Sequence, residues 1–146
     1  MHFDHLKSND LVLLDRGYPA FWLFRLILKQ GAQFCTRMPL TSWKVVEKFV
    51  ASGLDEQIVT LKPGESASKA CETHGISTKP LTVRLIRIEL KTGEIEVLAT
   101  SLLDRDNYPV SVFKDLYHNR WPVEEDYKAI KSRIEVENWS GKTVLG

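Results

Sequence analysis

Near the N-terminus, the sequence predicts a strand, a helix and a second strand in succession, and this order restricts the folds open to the chain. Residues 11–14, Leu-Val-Leu-Leu, form an apolar run typical of a buried strand. Pro19 suits the first turn of a helix, and residues 20–30 carry apolar side chains at helical spacing. Gly31 suits the C-terminal end of that helix, and residues 33–38 resemble the next strand. Such a unit normally makes its two strands parallel, so we expect an α/β fold.

The middle of the chain has a different pattern. A helix is expected over residues 43–52, followed by a strand over residues 56–61. Residues 81–90 and 94–100 are rich in strand-forming residues and flank a short hairpin loop. Gly93 in that loop supplies the positive φ that such a turn needs. We therefore expect a β-rich region between the two ends of the chain.

A further helix is expected over residues 110–120, after Pro109. Pro122 then disfavours helical backbone at Trp121 and lacks an N–H donor. Two continuations stay open at this point. Either a single helix is kinked at residues 120–121, or a new helix begins with Pro122.

The composition indicates the general class of protein but does not indicate its function. The chain has 146 residues, 43% of them apolar and 27% charged, as in an ordinary single soluble domain. No apolar run approaches the ~20 residues needed to cross a membrane. Cys35 and Cys71 lie far apart in sequence, which favours a reducing cytoplasm without structural disulfides. The net charge of +1 is low for a dedicated DNA-binding protein, so composition leaves DNA binding undecided.

Four polar side chains near the C-terminus recur at steps that return to one face of an α-helix. Tyr117, Arg120, Glu124 and Lys131 are separated by three, four and seven residues. A carboxylate can hold a divalent metal, while two cations and a hydroxyl can contact phosphate oxygens. Asp15, directly after the apolar run, is a candidate second metal ligand. The set suits a phosphodiester substrate.

Each of these residues also has an ordinary explanation. Asp15 could form a turn after its strand. Glu124 lies beside Glu125 and Asp126, and acids are common in the first turn of a helix. Arg120 and Glu124 could form an ion pair four residues apart whatever the function. Only the spacing from Arg120 and Lys131 selects Glu124 over its acidic neighbours.

The spacing Tyr-x2-Arg-x3-Glu-x6-Lys, together with Asp-Arg-Gly-Tyr at residues 15–18, resembles the DDE transposases of bacterial insertion sequences. The most similar group is the insertion-sequence-four type. The resemblance implies an α/β fold with a partial ribonuclease H-like core, formed by residues 1–41 and 104–146. It also implies a β-rich insertion over residues 42–103, between the last core strand and the C-terminal signature helix.

The same resemblance implies a chemistry. Transposases of this type hydrolyse a phosphodiester at the transposon end and join the freed 3′-hydroxyl to target DNA, which is a form of DNA recombination. Two Mg²⁺ ions activate the attacking oxygen and stabilise the leaving one. Asp15 and Glu124 correspond to the second and third catalytic acids and would be metal ligands. Tyr117, Arg120 and Lys131 would bind phosphate.

The first catalytic acid is expected well upstream of Asp15, on a different strand. Asp4 and Asp10 lie in the lead-in to the Asp15 strand and cannot replace it. We therefore expect a cytoplasmic fragment of a transposase that is inactive alone and binds transposon-end DNA. Its protein partner would be a second copy or full-length transposase. Two alternatives stay open: a non-enzymatic DNA-binding or inhibitory partner of full-length transposase, and an unrelated α/β module.

Overall fold

The computed structural model describes residues 10–14, 21–41, 43–120 and 134–135. The strands within these ranges are β1 (Asp10–Leu14), β2 (Gln33–Met38), β3 (Glu56–Leu61), β4 (Leu81–Glu89), β5 (Ile95–Thr100) and β6 (Ile134–Glu135). The helices within them are α1 (Phe21–Lys29), α2 (Lys44–Ser52), α3 (Glu65–Thr73) and α4 (Val110–Asp115), with a π-helical turn over Leu116–Arg120. The described strands form one mixed sheet in the order β3-β4-β5-β2-β1-β6. The expected α/β class is confirmed.

The parallel pair predicted from the N-terminal segment is present. β1 and β2 run parallel in register, with Leu11 opposite Gln33 and Leu14 opposite Thr36. α1 connects them and buries one apolar side against the sheet. The ring of Phe24 stacks on the ring of Phe34 in β2, with centroids 4.6 Å apart. Burial of this helix face is the main reason that the unit holds together.

The remaining strands extend the same sheet by antiparallel pairing. β5 pairs with β2, β4 pairs with β5, and β3 pairs with β4. The hairpin between β4 and β5 turns as expected, since Gly93 has a φ of 90°. The strands of residues 42–103 therefore continue the sheet begun by β1 and β2. The division of the chain into a core and an insertion stays a prediction.

The two faces of the sheet carry separate apolar clusters because side chains alternate along each strand. We call one of them the α4 face. Its buried residues are Leu11, Leu13, Cys35, Ile86, Ile88, Leu98, Leu102, Val112, Phe113 and Leu116. The opposite face, which we call the α1 face, is covered by α1, α2 and α3. Both cysteines are free and buried, one in each cluster, so Cys35 packs as a small core residue.

α2 and α4 agree with the sequence predictions, whereas α3 was not predicted. α2 ends at Gly53, which has a positive φ of 75° and donates its N–H to the carbonyl of Val50. α3 packs beside α1, where the ring of His74 stacks on that of Trp22, with 4.9 Å between the ring centroids.

Among the described residues, no helix has the length and apolar character to cross a membrane.

The helix expected over residues 110–120 is present, but its second half is π-helical rather than α-helical. A π-helical turn bonds residue i to residue i+5, and such turns often occur at functional sites. The two continuations considered around Pro122 concern residues outside the described part of the chain, so both stay open.

Candidate active site

The candidate site lies at the carboxyl end of the parallel strands β1 and β2. Because these strands are parallel and in register, their carboxyl ends meet at one edge of the sheet. Leu14, the last residue of β1, lies opposite Thr36. Arg37 follows Thr36 within β2, and Asp15 follows Leu14 in sequence. Ligand and catalytic sites of open α/β sheets commonly occupy this edge.

Tyr117 reaches this edge from the π-helical turn. Its ring is half-buried and packs against the apolar cluster of the α4 face. The guanidinium carbon of Arg37 lies 5.7 Å from the centroid of that ring, within the range of a cation–π contact. The neighbouring Leu116 is fully buried and anchors the turn on the sheet. The structure therefore brings one signature residue to the carboxyl end of the β1–β2 pair, and Asp15 directly follows β1 in the sequence.

The other predicted site residues are described less fully or not at all. Arg120 ends the π-helical turn, and the structure describes its backbone without its side chain. Asp15, Glu124 and Lys131 lie outside the described residues. Their roles as metal ligands and phosphate contacts stay predictions. Steps of three and four residues return to one face in an α-helix, whereas the π-helical turn changes the angle between Tyr117 and Arg120.

An ion pair that the sequence analysis missed lies next to Tyr117. Nη2 of Arg37 lies 3.1 Å from Oε1 of Glu96 in β5, with both side chains largely buried at 17% and 9% exposure. Strand alternation places Arg37 on the same face as Cys35, and Glu96 on the same face as Leu98. The sequence signal for this ion pair was a charged residue at an inward-facing strand position. Charged residues are rarely buried unless they are paired.

The described residues hold no separate metal centre. Within residues 10–14, 21–41, 43–120 and 134–135, no group of three or more His, Cys, Asp or Glu side chains could hold a metal ion. Burial raises the pKa of the Cys35 thiol, and the positive charge of Arg84 only partly opposes that effect. Cys35 therefore stays protonated at neutral pH and has the character of a core residue, not of a nucleophile.

Comparisons with known proteins agree with the signature. The family model described as "Transposase DDE domain" matches residues 2–144. Among curated proteins, "Transposase InsG for insertion sequence element IS4" from Escherichia coli (strain K12) is 29% identical over 128 residues. That alignment covers 88% of this chain and 28% of InsG, so the chain spans little more than a quarter of that relative. No solved structure gives a significant match. With the family match extending over nearly its whole length, the chain belongs to the DDE transposase family, of the IS4 type.

Proposed function

We propose that this chain forms part of the catalytic core of a DNA transposase. It would contribute the second and third acids of the triad, Asp15 and Glu124, together with phosphate contacts from Tyr117, Arg120 and Lys131. The observation that carries this proposal is the position of Tyr117. A residue of the signature packs on Arg37 at the carboxyl end of β2, beside the strand that Asp15 follows.

The alternation of side chains in β1 gives independent support. Leu11 and Leu13 point to the α4 face, whereas Val12 and Leu14 point to the α1 face. One further step of the same alternation would direct Asp15 to the α4 face. Tyr117 packs on that face, so Asp15 and the signature helix would meet on the same side of the sheet.

The donor set suits a hard divalent cation. Carboxylate oxygens are the ligands that Mg²⁺ prefers in proteins, and Asp15 and Glu124 would hold it. When bound, a pair of such ions would promote deprotonation of the attacking hydroxyl and stabilise negative charge on the leaving oxygen. Arg120 and Lys131 would offset the charge that develops on the phosphoryl group, and the Tyr117 hydroxyl would donate to a phosphate oxygen. The reaction would be hydrolysis of a phosphodiester at a transposon end, followed by strand transfer.

The fold supports the partial ribonuclease H-like core proposed for residues 1–41 and 104–146. Its described parts are the parallel unit β1-α1-β2 and the helix α4, whose buried residues share the apolar cluster of the α4 face with Leu11, Leu13 and Cys35. Residues 42–103 would be the insertion. The resemblance places the first acid of the triad on a different strand from Asp15, and this proposal assigns it to no residue.

The salt dependence of DNA binding tests the phosphate contacts directly. Three to four charged contacts, from Arg120, Lys131 and basic side chains of the N-terminal half, predict a slope of log affinity against log salt near −3, because each phosphate neutralised on duplex DNA contributes ~0.9. Arg120→Ala should reduce that slope by about one and weaken all sequences alike. Glu124→Ala should leave binding unchanged or tighter, since it removes an acid from the groove.

Lys69→Ala is a matched control, because Lys69 is exposed on α3, which covers the opposite face of the sheet. It removes the same charge without touching the signature helix. Equal slopes for Arg120→Ala and Lys69→Ala would reject the proposed phosphate contact at Arg120.

A further inference from the structure

Arg84 has the largest of the fully buried side chains in the described part of the chain, with 0% of its surface exposed. It lies in β4 on the α4 face, in line with Ile86 and Ile88. A buried guanidinium loses its hydration, so it is retained only where nearby groups compensate for that loss. The contacts of Arg84 therefore show which parts of the fold it connects.

One set of contacts joins Arg84 to β3, the strand at one side of the sheet. Its Nε lies 2.8 Å from Oε1 of Glu56, the first residue of β3. The same carboxylate oxygen lies 3.3 Å from Nε of Arg105, in the loop that leads to α4. Glu56 thus forms ion pairs with two guanidinium groups, that of Arg84 in the sheet and that of Arg105 in the loop.

A second set joins Arg84 to the start of α4. Its Nη1 donates to the carbonyl oxygen of Tyr108, which directly precedes the N-cap residue Pro109. Its guanidinium carbon lies 5.2 Å from the centroid of the Phe113 ring within α4. The remaining nitrogen, Nη2, is buried and has no hydrogen-bond partner among the described residues. The other two side-chain nitrogens, Nε and Nη1, bond β3 and the residue before α4.

If Arg84 served only to stabilise the fold, a buried guanidinium would be a costly choice of side chain. An apolar side chain of similar volume often replaces a buried ion pair with no loss of stability. Apolar contacts are not directional, however, whereas the guanidinium fixes the directions of its acceptors. A helix held only by Val112 and Phe113 could shift along the sheet more readily than one whose entry is bonded to Arg84.

We propose that Arg84 is a positioning residue for the phosphate-binding side chains of the signature. By bonding Glu56 and the carbonyl of Tyr108, it fixes where α4 begins on the sheet, and hence where Tyr117 and Arg120 lie relative to the carboxyl end of β1. This inference rests on the proposed function, because Tyr117 and Arg120 are assigned to DNA there.

The test compares Arg84→Met with Arg87→Met. Both variants remove one positive charge from β4, but Arg87 lies on the opposite face and outside this network. Two readouts are needed: amide hydrogen exchange across residues 110–120, and affinity for duplex DNA with its salt slope. Arg84→Met should accelerate exchange in residues 110–120 while leaving β1 and β2 protected. Loss of one phosphate contact should weaken DNA binding about fivefold beyond the effect of Arg87→Met at physiological salt.

Glu56→Gln provides a second variant if Arg84→Met does not fold. It keeps the shape of the side chain and one acceptor oxygen, so the same changes should appear in weaker form. Exchange and affinity equal to those of Arg87→Met, in whichever variant folds, would overturn the proposal. The two hypotheses remain separable. If Arg120→Ala fails to change the salt slope, the proposed function fails, whereas the exchange measurement on residues 110–120 still tests the role of Arg84.

Discussion

The guanidinium of Arg37 lies over the ring of Tyr117, with 5.7 Å between the guanidinium carbon and the ring centroid. Arg37 is the next-to-last residue of β2, and Tyr117 is the second residue of the π-helical turn. Glu96 pairs with the same guanidinium at 3.1 Å. This contact ties the signature segment to the edge of the sheet where the catalytic centre is proposed.

Tyr117→Phe separates the role of the ring from that of the hydroxyl. The ring would still lie over Arg37, so we expect the free energy of unfolding to change by less than about 1 kcal/mol. Affinity for duplex DNA should fall, because the proposed donor to phosphate is lost. Tyr117→Ala also removes the ring and should cost about 1–2 kcal/mol of stability from lost burial and the cation–π contact. Urea denaturation and DNA titration of both variants measure the two effects, and undiminished DNA affinity in Tyr117→Phe would argue against the hydroxyl contact.

The buried thiol of Cys35 should make the protein less stable in alkali. An exposed thiol has a pKa near ~8.5, and burial raises the pKa of Cys35 far above that value. Above about pH 8.5 the unfolded chain therefore releases a proton that the native chain keeps, so rising pH favours unfolding. The expected loss is about 1.4 kcal/mol per pH unit from this residue, and it is absent at neutral pH.

Urea denaturation at several pH values between about 7 and 10 measures this loss. Cys35→Ala is the control. It should be less stable at neutral pH because the sulfur leaves a cavity, but its stability should decline less steeply with pH. Parallel declines in the two proteins would show that Cys35 does not cause the pH dependence.

The fold was predictable where hydrophobic pattern and turn residues agree. The β1-α1-β2 unit has a buried run, a helical stripe and Gly31 in succession, and the β4–β5 hairpin has Gly93 at its turn. α3 was missed because the apolar residues that it buries are small, such as Ala67 and Cys71, and give only a faint stripe. The pairing of β5 with β2 was not predicted either, since strand order depends on contacts between distant segments.

Only those residues of the site that are defined by their spacing along the sequence could be predicted. The signature selects Tyr117 and Arg120 from sequence alone, and the structure packs the ring of Tyr117 against Arg37 near the end of β2. The inward-facing strand positions of Arg84, Arg37 and Glu96 were a signal in the sequence, but the partners of these three residues could not be predicted. Their importance depends on which residues the sheet and α4 bring together, and that is a property of tertiary packing. The π-helical form of residues 116–120 likewise had no evident signal in the sequence.

Purified 146-residue chain should show no strand cleavage or strand transfer with Mg²⁺ or Mn²⁺. It carries two of the three acids that the family resemblance implies, so the two-metal site would be incomplete. Nicking of supercoiled plasmid is a sensitive measurement, and a parallel DNA-binding assay should show that the protein is folded and competent to bind. Metal-dependent nicking that Asp15→Ala abolishes would show that the chain needs no further acid.

The central claim is that Asp15 and Glu124 belong to one metal site. A crystal structure of the chain grown with Mn²⁺ tests it most directly, because the anomalous signal locates the ion independently of the protein. We predict that the two carboxylates face each other about 4–8 Å apart, since paired ions in such sites are ~3.5–4 Å apart. The ion should lie between them, beside the carboxyl end of β1. Carboxylates on opposite sides of the sheet, or Mn²⁺ bound elsewhere with neither acid as a ligand, would contradict the account.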